Sequence, residues 1–130
     1  MPLLVDFLLS CRITIDQGFA AGLIVRANES GSAGYYLRLA PCKSTVSLWR
    51  YPQQWVLSRA MASRTMPGLI DYGRPCVLQV IMHRHILDAY VDGRHVLSRA
   101  VHDYKHGRVG VFVKDCEAQF TALEARELVE

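Results

Sequence analysis

Apolar and polar residues alternate with a period of two along most of this chain. The runs are short and broken by Gly, Pro, Asp and Ser, the pattern of half-buried β-strands. Phe7, Leu9, Cys11, Ile13 and Ile15 alternate with Ser10, Arg12 and Thr14, which predicts a first strand over Phe7 to Ile15. Asp16-Gln17-Gly18 reads as a turn into Ala20 to Ala27. After the polar loop Asn28 to Gly34, strands are predicted over Tyr35 to Ala40, Thr45 to Tyr51 and Trp55 to Met61. Ala62 to Arg74 carries Pro67, Gly68 and Gly73 and reads as a long irregular connection. Branched residues then mark Cys76 to His83 and Ile86 to Val91. Asp92-Gly93 supplies the positive φ angles of a tight primed turn, so Ala89 to Leu97 is predicted to be a hairpin. Gly107 to Asp115 reads as a second hairpin-like unit, with strands over Val109 to Val113 and Ala118 to Leu123. The tail from Thr121 has helix-forming composition, but a final strand suits the architecture better. About nine or ten strands and almost no helix define an all-β, two-sheet antiparallel β-sandwich or jelly roll.

Strand alternation also sorts side chains onto two faces. Leu23, Val25, Tyr35, Leu37, Leu39, Val46, Leu48, Val109, Val111 and Val113 make an aliphatic face that belongs in a core. The opposite face carries Arg26, Tyr36, Arg38, Trp49 and Lys114, aromatic and cationic groups suited to a ligand platform.

Composition narrows the function classes. At 130 residues, 51% of them hydrophobic, the chain suits a single domain with a substantial core. The net charge of +3 is mild and its basic residues are scattered singly, without the basic stripe and interleaved aromatics of a nucleic-acid groove. No stretch approaches the ~20 apolar residues that span a bilayer. The opening Met1 to Leu9 lacks a basic region and is interrupted by Asp6, so it reads as strand rather than leader. Neither nucleic acid nor membrane is therefore an expected partner. Cys11, Cys42, Cys76 and Cys116 form no CxxC pair, and Cys11 and Cys76 read as small buried hydrophobes.

The order of motifs carries a resemblance. Gly22-Leu-Ile-Val-Arg-Ala27, Gly34-Tyr-Tyr-Leu-Arg-Leu39, Val46-Ser-Leu-Trp-Arg50, Tyr90-Val-Asp-Gly93 and Gly107-Arg-Val-Gly-Val-Phe-Val113 follow one another in register. Together they resemble the concanavalin A-like lectin/glucanase superfamily, and most of all the fructan-binding modules of carbohydrate-binding module family 66. Similar sandwiches are appended to family 32 glycoside hydrolases. Such modules usually begin with one or two strands ahead of the segment matching Val5 to Ile15, which implies an open edge here. An open edge invites pairing, and a homodimer is the corresponding expectation. The look-alikes also tend to carry Asp where this chain has Val101.

The chemistry expected from the resemblance is sugar binding without catalysis. Aromatic faces cover the apolar side of a sugar ring, and Arg, Asp, Glu and Asn pair with vicinal hydroxyls. The pattern of the family points to Arg26, Glu29, Tyr36, Tyr104, Lys114 and Asp115 as the ligand-binding set, converging on one side of the sandwich. The competing reading has Arg26 paired with Glu29 or Asp115 on the surface, Trp49 and Trp55 as edge packing, and Tyr104 as a loop plug. A glycosidase needs two carboxylates across the scissile bond, and no ExDxE pattern, GxSxG or phosphate loop occurs. His83-Arg84-His85 reads as a solvated hairpin turn, with no third ligand set by spacing, so no metal or cofactor is expected. An oligosaccharide or polysaccharide is the expected partner. A laminin G-like protein-interaction module that dimerises through the open edge is the alternative.

Overall fold

The computed structural model describes residues 5–52 and 60–128. The expected strand from Trp55, with most of its residues, lies outside that set. The chain forms β1 (Phe7–Ala27), β2 (Gly34–Ala40), β3 (Thr45–Tyr51), β4 (Ala62–Thr65), β5 (Cys76–His83), β6 (Ile86–Val91), β7 (Arg94–Ala100) and β8 (Arg108–Glu127). All pairings between them are antiparallel.

β1 organises the sandwich. Its first half pairs with β5 (Phe7 opposite Met82, Ile13 opposite Cys76), and its second half pairs with β2 (Ala21 opposite Leu39, Val25 opposite Tyr35). β8 runs along the other edge of β1 for its whole length, from Phe7 opposite Glu127 to Ala27 opposite Arg108. The β1–β8 ribbon therefore belongs to both sheets, β4-β3-β2-β1-β8 and β7-β6-β5-β1-β8. Far from the ribbon the two sheets meet where Arg64 of β4 donates to the carbonyl of His95 in β7 at 3.3 Å.

Two expected interruptions are absent. Asp16-Gln17-Gly18 does not release the chain into a turn; the ladder shifts register between Ile15 and Gln17, Gly18 takes φ 108°, and β1 bends without leaving its partner. A bulge bends a strand while preserving pairing on either side. The expected strands Val109 to Val113 and Ala118 to Leu123 are likewise one strand, β8, whose left-handed residues Asp115 (φ 46°) and Ala122 (φ 53°) absorb the curvature. Within the stretch expected to be irregular, Ala62–Thr65 pairs with β3 as an edge strand. The hairpin turn is as read: Asp92 and Gly93 have φ 50° and 80°, and Asp92 also accepts a bond from the Val77 amide at 2.8 Å.

The core forms where the alternation places it. Phe7, Leu9, Cys11 and Ile13 of one sheet face Leu23, Val25, Tyr35, Leu37, Leu39, Val46 and Leu48 of the other, all inaccessible to solvent. Cys11 and Cys76 are buried thiols, and Cys42 and Cys116 are also free. Val111 and Val113 are exceptions. They lie on the inward face, opposite Leu23 and Ala21, yet are 38% and 52% exposed. Alternation fixes a face, but burial also needs something opposite it, and among the described strands β8 pairs with β1 alone.

Candidate functional site

Because β1 bends back on itself, both of its ends reach the same end of the sandwich. There they meet the Asn28–Ala33 loop, the β5–β6 turn and the 101–107 segment. Arg26 binds these parts together. The sequence placed it outward, but it is only 3% exposed. Its φ of 50° takes the backbone out of regular extension at the last turn of β1. One guanidinium nitrogen donates to the Tyr104 carbonyl at 3.1 Å, the other to the Val5 carbonyl at 3.0 Å and to the Arg84 carbonyl. Asp6 stands 3.9 Å away. Burial lowers the Arg26 pKa and the Asp6 carboxylate opposes that shift. Arg26 is a clamp between the ends of the two sheets, not a surface group.

Tyr35 and Tyr104 hold the neighbouring segment. The Tyr35 ring is in the core, and its hydroxyl accepts from the amides of Asp103 at 2.9 Å and Tyr104 at 3.2 Å. Burial raises the Tyr35 pKa. The Tyr104 ring packs edge-on against Tyr35 with centroids 5.2 Å apart, and its hydroxyl donates to the Tyr51 carbonyl at 2.6 Å. Tyr36, on the outer face, lies against Tyr51 and Phe112, with centroids 4.3 Å and 5.0 Å away, and its hydroxyl donates to the Gly31 carbonyl. Tyr36 thus braces the loop from beneath.

That loop is closed by its own polar groups. The Asn28 amide donates to the Ala33 carbonyl at 3.0 Å, while the Asn28 side chain takes the Ala33 amide at 3.2 Å and donates to Ser32 at 3.0 Å. An Asx-type closure of this kind holds a short loop rigid. It presents Glu29, whose side chain is 88% exposed, 4.0 Å from the Arg108 guanidinium. Glu29 and Arg108 line a groove of ≈310 Å³ with Asn28, Tyr104 and His106 along it. Gly107 forms part of its wall: a Cβ there would lie 2.5 Å from the Arg26 carbonyl carbon, so only glycine lets the segment approach β1 so closely. Across Arg26 lies a second hollow of ≈320 Å³, lined by Arg84, Lys105 and the stacked rings of His85 and His102, 4.8 Å apart.

The six expected ligand residues are thus divided. Arg26, Glu29 and Tyr104 gather around one groove, and Tyr36 supports its loop. Lys114 and Asp115 stand elsewhere. Opposite Ala20 and beside the bend, they lie about 20 Å along β8 from Arg108, at ~3.3 Å per residue. Lys114 reaches the Phe19 ring at 5.6 Å, and Asp115 lines a shallow hollow with Gln17, Gly18 and Glu117. The sequence reading took Lys114-Asp115 for the end of a strand, whereas they are in the middle of one. On the outer face Arg38 is equally committed: its guanidinium lies 4.3 Å from the Trp49 ring and donates to the Tyr51 hydroxyl at 2.7 Å.

Arg108 was missed. The signal for it was the register: the residue after Gly107 pairs with Ala27 and therefore stands beside the Asn28–Glu29 loop. Among the described residues, no three of His, Cys, Asp and Glu gather as a metal site.

No protein-family model matches the sequence, and no curated protein matches it. Solved structures do. The carbohydrate-binding module CBM66 from Bacillus subtilis aligns at 21% identity over 97% of this chain and 78% of that one, with a TM-score of 0.87. A protein of Parabacteroides distasonis described as a candidate glycosyl hydrolase aligns at 9% identity, covering 99% of this chain and 75% of that one, TM-score 0.72. Sheep galectin-11, in complex with glycerol, aligns at 12% identity over 93% and 90% of the two chains, TM-score 0.62. The chain shares the antiparallel β-sandwich fold of these structures.

Proposed function

We propose that this chain is a non-catalytic carbohydrate-binding domain that takes the end of a glycan, a fructan in the first instance, in the groove between the Asn28–Ala33 loop and the start of β8. The observation that carries the reading is the Glu29–Arg108 pair. A carboxylate and a guanidinium face each other at 4.0 Å across an open groove and are both solvent-accessible. Vicinal hydroxyls can donate to the one and accept from the other, replacing a water-exposed ion pair that contributes little by itself. Tyr104 lines the same groove. The likeness to a carbohydrate-binding module and to a galectin supports the reading. Among the described residues Glu29 is the one carboxylate lining the groove, and hydrolysis of a glycosidic bond uses two. Binding is the chemistry that this side-chain set serves.

Calorimetric titration with levan, inulin and a β-glucan tests the proposal. Levan or inulin should release heat with a modest dissociation constant. Glu29→Ala and Arg108→Ala should each weaken binding about tenfold or more, since a hydrogen bond to a charged group contributes ~1.5–3 kcal/mol. Absence of heat with every glycan would overturn the function. Unchanged affinity in both variants would overturn the site.

A further inference from the structure

We infer that the hollow across Arg26, between the β5–β6 turn and the 101–105 segment, is an anion site for an acidic sugar, a carboxylate carried on a single ring. It is distinct from the Glu29–Arg108 groove: of the described residues that line the two, only Arg26 is shared. Among the described residues its walls hold Arg26, His85, His102 and Lys105 with no carboxylate, and Val5 and Val101 make up the apolar part.

These walls are held in place before any ligand arrives. Arg26 donates to the carbonyls of Val5, Arg84 and Tyr104, one on each of the three segments that meet here. The Val101 amide donates to the His85 carbonyl at 2.6 Å, which fixes the β5–β6 turn beside the start of the 101–105 segment. Next to that bond the His85 and His102 rings stack, 4.8 Å apart and 24° from parallel. The Tyr35 hydroxyl secures the other end of the segment through the Asp103 and Tyr104 amides. A site ordered in advance loses little entropy on binding.

Charge and size select the ligand. The nearest described carboxylates are engaged outside the walls. Asp6 stands 3.9 Å from Arg26 and 3.8 Å from His83 and accepts the Arg84 amide at 2.7 Å, while Asp103 pairs with Arg50 at 3.2 Å. Arg26 is 3% exposed, and its buried Nε has no partner among the described residues. Its other nitrogens meet neutral carbonyls, so its positive charge is only partly offset. An anion in the hollow would sit near that charge away from bulk water, where attraction is stronger than in solution. Exposed Lys105 offers ammonium donors, and exposed His85 and His102 each have a ring N–H to donate in either protonation state. The volume of ≈320 Å³ is at the small end of ligand pockets, more than a bare ion fills. Val5 and Val101 offer the apolar surface that the C–H face of a ring can use.

Titration of the ¹⁵N-labelled protein with glucuronate, glucose and sulfate, at fixed pH and ionic strength, tests the inference through the His85 and His102 ring signals. Glucuronate should shift both rings saturably. Glucose, which has the ring without the carboxylate, should shift neither at the same concentration. Sulfate should bind about tenfold more weakly, since it leaves the apolar part of the hollow in water. Lys105→Ala and His102→Ala should each weaken glucuronate binding about tenfold, with the His85 ring as reporter. Both should keep the parent's melting temperature, because both side chains are exposed. The absence of a saturable shift with glucuronate would overturn the inference, as would an equal response to glucose. Sulfate binding as tight as that of glucuronate would reduce the hollow to a site for inorganic ions and overturn the acidic sugar. Unchanged affinity in both variants would overturn the assignment of the walls.

Discussion

Arg26→Ala should destabilise the domain rather than merely weaken ligand binding. The residue is 3% exposed and its two terminal nitrogens serve three carbonyls, those of Val5, Arg84 and Tyr104. Truncation leaves those acceptors facing a void and removes the guanidinium that stands 3.9 Å from Asp6. Hydrogen bonds to a charged donor contribute ~1.5–3 kcal/mol each. Removing the guanidinium also removes its own desolvation cost, including that of the buried Nε, which has no partner. The net loss should be about 3–5 kcal/mol, the range for deleting one member of a buried, hydrogen-bonded charge cluster. For a chain of this size that corresponds to roughly 10–20 °C in melting temperature. Arg26→Lys should recover only part of it, because one ammonium cannot place donors at three carbonyls in the fork geometry of a guanidinium. Thermal and urea denaturation followed by circular dichroism measure both variants. A melting temperature within a degree of the parent would refute the clamp and return Arg26 to the surface role that the alternation suggested.

Other consequences are open to direct test. Gly22→Ala should prevent correct folding, because a Cβ there would lie 1.8 Å from the Leu37 carbonyl oxygen of the paired strand; recovery of folded protein would refute that packing. Tyr104→Phe should cost about 1 kcal/mol by removing its bond to the Tyr51 carbonyl, read as a lowered urea midpoint. A thiol reagent should label exposed Cys42 quickly and Cys76 only on unfolding, since burial pushes the Cys76 thiol up to about 11. The same shift gives a sign for alkali. The folded state holds the proton more tightly than the unfolded chain, so stability is full below the ordinary thiol value near 9 and falls as pH rises towards 11. Denaturation midpoints across that window measure the decline.

Much of the fold was legible because it depends on local signals. Alternation identified the buried rows of β2 and β3, branched residues marked β5 and β6 as strands, and Asp92-Gly93 identified the hairpin. The continuity of β1 and β8 was not legible. Asp16-Gln17-Gly18 has turn composition, and only pairing with β8 holds it in the ladder; a long-range partner outweighed a local preference. Arg26 was misplaced for a related reason. Strand period placed it outward, but its φ of 50° breaks that period at the end of β1. The division of the site also follows from topology: Lys114 and Asp115 are near Arg26 in motif order, yet β8 extends past them to Glu127. Arg108 was visible only through its pairing with Ala27. Tyr35, read simply as core, turns out to anchor the segment beside the groove through its hydroxyl.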